Sequence, residues 1–385
     1  MVKTKFSFPV GYREFHKDQV YNFQLNRPYS WGTARLEDME EAGRKINNFL
    51  DWKEEMVRLA EKAVSEGRLI NAAFYYRAAE FYVLVENPER EDPEKELLYD
   101  KFSELFYKAV ENEEVERFKI PYEETFLPAL KISPVNDVRK GTIVMLGGFD
   151  SFIEEFYSWM RYFSDNGYEV IAFEGFGQGA ALKKSGLAFN IEWEKPVETV
   201  LNYFNLDDVT LHGISMGGWY CLRAAAFEPR IKRVMASGIV LDMLQTPPLV
   251  IQGMMNFMRK HLRKFTNNMM LKQIKQGGMP AWQTSNLLYI TRKRTPIEAL
   301  DIMAQMNEKN LHSEMVEQDV LILTGRNDHL IPFKMHRKQV KALTNAKSVT
   351  AKVFTKEENA QNHCQIGNAA LALKEMVKWL DEKSS

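Results

Sequence analysis

The 385-residue chain has little cysteine: two residues, Cys221 and Cys364. Two thiols in this length do not make a disulfide framework and are expected to be free, which fits a reducing, cytoplasmic setting. An excess of charge is also missing, since 51 Lys+Arg stand against 52 Asp+Glu for a formal net charge of -1. No global field therefore draws the chain to nucleic acid or to an anionic membrane. No apolar run approaches the ~20 residues of a membrane-spanning helix, and Pro9 and Gly11 break an amino terminus without the apolar core of a secretory signal. These absences predict a soluble intracellular protein. What is present is globular in character, with 45% hydrophobic and 27% charged residues. At about 100–200 residues per domain, the length predicts two or three packed units. The one compositional excess is methionine, 19 residues, about half of them between Met243 and Met315.

From about Glu37 to Glu116 the pattern is helical. Ala72 to Tyr82 repeats small and aromatic residues at three- and four-residue spacing, and Asn87-Pro88 stops it. A second helix follows Asp92-Pro93. No second copy at a fixed period supports a solenoid. After Glu116 strand-favouring runs appear, and from Thr142 strands and helices alternate, as a mostly parallel sheet with helices on both faces requires. The alternation fails between Leu241 and Met315 and resumes at Val320. The expected organisation is a helical amino-terminal domain with lead-in strands over residues 1–135, a catalytic α/β domain over 136–240 and 316–385, and a helical cap inserted at 241–315.

The chemistry concentrates at Gly213-Ile214-Ser215-Met216-Gly217, between a predicted strand and a predicted helix. That is the setting of a nucleophile elbow, where a serine sits on a strained turn that small neighbours permit. The alternative is a tight turn with an ordinary serine. An activated serine needs a base, and the base an orienting carboxylate, in the chain order Ser, acid, His. Asp328 follows the apolar strand Val320 to Leu323, and His363 follows a polar loop before the last helix. Asp242, after an earlier strand, is the rival acid. The oxyanion of a tetrahedral intermediate needs two N–H donors. One is expected from Met216 and the other from Phe149, with Gly148 second, in the loop that opens with Gly147.

The other histidines read as structural or solvent-facing: His329 adjoins the acid, His336 lies in a predicted helix, His212 precedes the elbow, and His16, His261 and His312 are scattered. None has the spacing of a metal site, and neither metal nor organic cofactor is expected. Glu174-Gly175-Phe176-Gly177-Gln178-Gly179 lacks the context of a dinucleotide-binding loop and reads as a loop at the carboxyl edge of the sheet. Cys364, beside His363, is given no role.

Leu146-Gly147-Gly148-Phe149-Asp150-Ser151 with Glu154-Glu155, the Gly175-Phe176-Gly177-Gln178-Gly179 loop, Gly213-Ile214-Ser215-Met216-Gly217-Gly218 and His363-Cys364-Gln365-Ile366-Gly367-Asn368 together resemble one subgroup of the α/β-hydrolase superfamily. That subgroup includes 2,6-dihydroxypseudooxynicotine hydrolase, FrsA-like esterases and acylaminoacyl-peptidase-like (S9-like) proteins. The resemblance covers the catalytic domain well and the helical domain, through Arg77 to Tyr82, more loosely. It implies the α/β-hydrolase fold, with Ser215 as nucleophile, Asp328 as acid and His363 as base. It leaves the bond open among ester, amide and ketone-adjacent carbon–carbon bond; for the last, the group is associated with an extra acidic residue, for which Asp242 is the candidate. Roughly 135 helical residues ahead of the catalytic domain are too few for propeller blades of ~40–50 residues each. A Met-rich cap fits a lid over an apolar pocket. Met254, Met255, Met258, Met269 and Met270 are its lining candidates, with packing inside the cap as the alternative. The expected partner is a small carbonyl substrate; a homodimer through the aromatic helical domain is one further arrangement. A different class, a ligand-binding or interaction protein on the same fold, would be favoured by Ser215 Oγ beyond hydrogen-bond reach of His363 or by a filled oxyanion hole.

Overall fold

A computed structural model describes residues 5–135 and 139–383. Among them eight strands form one sheet: β1 (Glu116–Tyr122), β2 (Thr125–Ile132), β3 (Gly141–Leu146), β4 (Tyr168–Phe173), β5 (Val209–Ile214), β6 (Ile231–Ser237), β7 (Asp319–Gly325) and β8 (Ser348–Phe354). Their order is β1-β2-β4-β3-β5-β6-β7-β8. β1 and β2 form an antiparallel hairpin, and β2 runs antiparallel to β4. All the other pairs are parallel. The central strands β5 and β7 are buried at every position, as strands covered on both faces must be, whereas the edge strand β1 is exposed at alternate residues near its end. β3 has β4 on one side and β5 on the other, so the connections leaving β3 and β5 diverge. The crevice this opens at the carboxyl ends of the strands is where such sheets place ligands.

The chain divides into two compact units, and neither is contiguous. One comprises Met1–Glu113, His261–Ala299 and Ile366–Asn368; the other comprises Glu114–Lys260, Leu300–Gln365 and Ala369–Ser385. The expected start of the catalytic domain at residue 136 lies outside the described residues. The strands expected to lead in from the helical domain belong to the sheet, because β2 hydrogen-bonds β4 from Ala129 to Ile132. The expected cap at 241–315 is divided between the two units: 261–299 belong to the helical unit, and 241–260 and 300–315 to the unit that holds the sheet. The reason is side-chain chemistry. Trp282 donates its indole N–H to the Phe81 carbonyl at 2.6 Å and stacks on the Phe81 ring at 4.9 Å. The Val85 amide donates to Ser285 Oγ at 2.8 Å.

The helical unit is built as its sequence dictates. Asn48 and Asp92 accept the first amide N–H groups of the helices Phe49–Ser65 and Pro93–Ala109, and Pro93 stands where its missing N–H costs nothing. Helix Leu69–Phe81 is buried along most of its length. It therefore packs aromatics on several sides: Phe49 stacks on Tyr82 with centroids 4.4 Å apart, and Trp52 donates to the Ala78 carbonyl at 2.6 Å. Glu80 is buried between Arg77 at 2.6 Å and Lys95 at 3.0 Å, the pairing that buried charges need.

Candidate active site

β5 ends at Ile214, and Ser215 takes a left-handed backbone with φ +61 before the helix Gly217–Phe227 begins. A β-carbon there is strained, and the surroundings hold it. The Ser215 N–H donates to the Ser237 carbonyl at 2.7 Å, and its carbonyl accepts from Gly218 at 2.9 Å. The flanking glycines are sterically required. A side chain at Gly213 would collide with the Gly217 carbonyl, and one at Gly217 would come within 2.7 Å of the Gly147 carbonyl. Local chain geometry thus lifts Ser215 Oγ out of the sheet at the carboxyl edge, half-buried and reachable.

His363 lies beyond β8, in a short turn whose next residues, Cys364 and Gln365, both have positive φ. Gln365 is held by Ser237, whose hydroxyl donates to Oε1 at 2.8 Å in a fully buried contact. Gly238, at φ +72, leaves room for the ring; a β-carbon there would lie 3.2 Å from His363 Cε1. The imidazole bridges two sequence-predicted partners: Nε2 is 2.8 Å from Ser215 Oγ, and Nδ1 is 2.7 Å from Asp328 Oδ2. The other Asp328 oxygen accepts the amides of Leu330 and Ile331 at 2.8 and 2.9 Å. Burial by itself would raise the Asp328 carboxyl, but the facing imidazole and those two amides outweigh it and hold the group below its usual range. Burial disfavours charge on His363 too, yet the facing carboxylate holds it well above the ordinary histidine value. Such a dyad keeps a proton on Nδ1 and leaves Nε2 to accept one from a neighbouring hydroxyl.

The loop after β3 lies against the elbow. A β-carbon at Gly148 would sit 3.0 Å from Ser215 Cβ and 3.3 Å from the Met216 amide nitrogen. Of the two amides expected as the second oxyanion donor, that of Gly148 is engaged, donating to Ser151 Oγ at 2.9 Å. Phe149, half-buried, follows it at the turn. The connection after β4 hydrogen-bonds to this loop. Gln178, buried, donates from Nε2 to the carbonyls of both Gly147 at 2.9 Å and Gly148 at 2.7 Å, and accepts the Gly175 amide on Oε1 at 3.1 Å.

The remaining candidates do not join the relay. Asp242 is an N-cap, accepting the Leu244 amide at 2.9 Å and the Gln245 side-chain amide at 3.1 Å; half-burial raises its carboxyl. The rival acid is thereby corrected, for the carboxylate that bonds the imidazole is Asp328. Of the five methionine candidates, Met254 and Met255 are exposed and Met258, Met269 and Met270 are half-buried; no residue of the helix Leu249–His261 is buried, while Met303 and Met306 further along the same span are. His212 is sealed in the sheet against Trp159 with Nδ1 on the Met235 carbonyl, and burial pushes it down to about 4. His329 packs edge-on to His363, and His336 pairs with Thr324.

Sequence reasoning missed Glu174 and Gln178 as individuals, although both lie in a loop it singled out. Glu174 is fully buried and accepts the amides of Ile153 at 3.0 Å and Ala181 at 3.2 Å. Burial and then the adjacent Glu154 push its carboxyl up to about 8. Because the folded-state value is raised, the stability this group contributes is full below its ordinary value of 4.5 and is lost as pH rises through about 8. Glu174→Gln gives up one amide contact at every pH but escapes that loss. Its melting temperature, relative to the parent's, is expected to climb by several degrees between about pH 5 and about pH 9. Paired thermal melts check this, and a difference that does not change with pH rejects it.

Residues 141–357 match the alpha/beta hydrolase fold family, a span that holds Ser215 and Asp328 and stops just before the His363 loop. Hydrolase acrC of Aspergillus aculeatus is 24% identical over 360 residues, covering 84% of this chain and 82% of acrC. The 20-hydroxy-prefusarin hydrolase FUS2 of Gibberella moniliformis is 27% identical over 308 residues, 72% of each chain. Among solved structures, 2,6-dihydroxy-pseudo-oxynicotine hydrolase superposes with a TM-score of 0.66 over 92% of this chain and 94% of its own, at 22% identity, a likeness of fold. No helix among the described residues is long and apolar enough to cross a membrane. The matched span exceeds half of the chain and coincides with the parallel part of the sheet, and the relatives are named hydrolases: this chain belongs to the α/β-hydrolase fold family.

Proposed function

We propose that the protein is a serine hydrolase that cleaves an ester, an amide or a ketone-adjacent carbon–carbon bond of a small carbonyl substrate through an acyl-enzyme. The observation that supports this most is the continuous relay from Ser215 Oγ through His363 to Asp328, with both contacts under 3 Å and the carboxylate buried. Neutral His363 takes the Ser215 proton on Nε2 as Oγ bonds to the carbonyl carbon, and Asp328 stabilises the imidazolium that forms. The electron pair of the carbonyl moves to its oxygen, facing the amides of Met216 and Phe149. Collapse of that intermediate breaks the bond to the leaving group, which takes the proton from His363. Water then repeats the sequence on the acyl-Ser215. Ser215 beyond reach of the histidine would favour the reading as a ligand-binding protein, and the 2.8 Å contact does not support that reading.

A fluorophosphonate reporter is expected to label the folded protein at Ser215, located by peptide mapping; a folded protein that stays unlabelled sinks the reading. A panel of p-nitrophenyl esters of rising chain length, acyl-amino-acid amides and aryl β-diketones separates the three bond types. On whichever is turned over, kcat/KM is expected to rise with pH through a midpoint above 6.5, because only neutral His363 accepts the serine proton and Asp328 holds it charged. A midpoint below that value contradicts the coupling.

A further inference from the structure

We propose that Gln178 is a positioning residue for oxyanion stabilisation: by gripping the carbonyls of Gly147 and Gly148 it turns the Phe149 N–H toward Ser215. The inference rests on the serine-hydrolase reading and goes beyond it to the device that aims one donor. A trans peptide unit carries its C=O and the following N–H on opposite sides of one plane, and no peptide bond among the described residues is cis. The Gly148 carbonyl, bonded to Gln178 Nε2 at 2.7 Å, is therefore fixed on the side away from the Phe149 N–H. The preceding carbonyl, of Gly147, goes to the second hydrogen of the same amide at 2.9 Å. The N–H between them, of Gly148, is taken by Ser151 Oγ at 2.9 Å. Two consecutive carbonyls of the loop are thus held by Gln178 and the N–H between them is taken by Ser151, and the next N–H is left to face the elbow.

The grip is itself held. Gln178 Oε1 accepts the Gly175 amide at 3.1 Å, which distinguishes the oxygen of this side chain from its nitrogen. The loop carrying it turns through Gly177 at φ +78, whose amide donates to the Leu187 carbonyl at 2.8 Å. Both hydrogens of Nε2 and the carbonyl oxygen are used, and the residue is buried, so it has no competing solvent partner. A leucine or methionine would fill the space but could not orient the loop.

Gln178→Met and Ser151→Ala test this on the full chain. The substrate is the p-nitrophenyl ester that the parent turns over best, and active sites are counted by fluorophosphonate titration carried to completion. The second probe is phenyl trifluoromethyl ketone. Ser215 Oγ adds to its carbonyl carbon, the proton goes to His363, and the resulting alkoxide needs the same two donors. Gln178→Met is expected to lower kcat per titrated site by about 10²-fold with KM changed less than about threefold. The inhibition constant of the ketone is expected to rise by the same factor as kcat falls. Ser151→Ala, which frees only the Gly148 amide, is expected to move both quantities in the same direction by about tenfold. A merely structural role reduces the number of titrated sites and leaves kcat per site and ketone affinity at parental values, and that result overturns the proposal. If Gln178→Met does not fold, Ser151→Ala decides on the same criterion. If the parent neither labels nor binds the ketone, the serine-hydrolase reading falls and takes the proposal with it. If the parent does both and the variants equal it, the positioning role alone falls.

Discussion

Ser215→Ala is expected to lower kcat by about 10⁶-fold, the scale seen when the nucleophile of a serine relay is removed. The residue that remains has a β-carbon and the same strain at φ +61, so the turn, the Ser237 contact to its amide and the fold persist. What disappears is the hydroxyl oxygen 2.8 Å from His363 Nε2, the atom that bonds to carbon in the proposed reaction. The large effect is therefore chemical and not conformational, and three measurements separate the two. Turnover and fluorophosphonate labelling are expected to vanish together while the thermal melt stays close to the parent's. Labelling of Ser215→Ala at the parental rate would move the nucleophile elsewhere.

Asp328→Asn is expected to cost about 10⁴-fold in kcat, through the proton inventory of His363 rather than through lost charge alone. Asp328 Oδ1 accepts two loop amides, and the substituted side chain can keep its remaining oxygen there. Its NH₂ then faces Nδ1, at the position that an acceptor holds now. To accept from that NH₂, the ring must carry its proton on Nε2, where it can no longer take one from Ser215. Asp242→Asn is the matched control. Its oxygens bond the Leu244 amide and the Gln245 side chain, so kcat is expected to stay within about threefold of the parent, as surface-like cap changes do. An effect of Asp242→Asn larger than that of Asp328→Asn would reverse the assignment of the carboxylate.

The elbow was legible because most of its signal is local. Gly213 is demanded by the Gly217 carbonyl four residues on, and the strand before and the helix after can be read from periodicity, whereas Gly217 is demanded by the Gly147 carbonyl about seventy residues upstream. Asp328 and His363 were legible for a related reason: each follows a strand, and parallel topology delivers the ends of all such strands to one edge. Pairing across long separations was not legible. β1 and β2 were read as strands, but nothing in residues 116–132 announces that β2 will bond to β4 some forty positions later. The helices after His261 were expected as a lid, and their commitment to Phe81 and Val85 depends on single side chains, Trp282 and Ser285, about two hundred residues away. Gln178 was hidden in the same manner. Its loop was noted for its glycines, whereas its chemistry is a contact with carbonyls thirty residues upstream. A buried polar residue inside a glycine-rich turn is the signal that could have found it.

The non-contiguous helical unit has a consequence for the order in which the protein comes into being. When translation has delivered the helix Leu69–Phe81, the surface that Trp282 covers is still bare, because the tryptophan lies 201 residues further along the message. At about 5–20 residues per second, Phe81 waits roughly 10–40 s for its partner to be synthesised. During that interval the sheet unit gains β1 to β6 but still lacks β7 and β8. The nascent chain therefore carries two unfinished cores at once, and the ring face of Phe81 that Trp282 stacks on stays without that cover until the tryptophan is made.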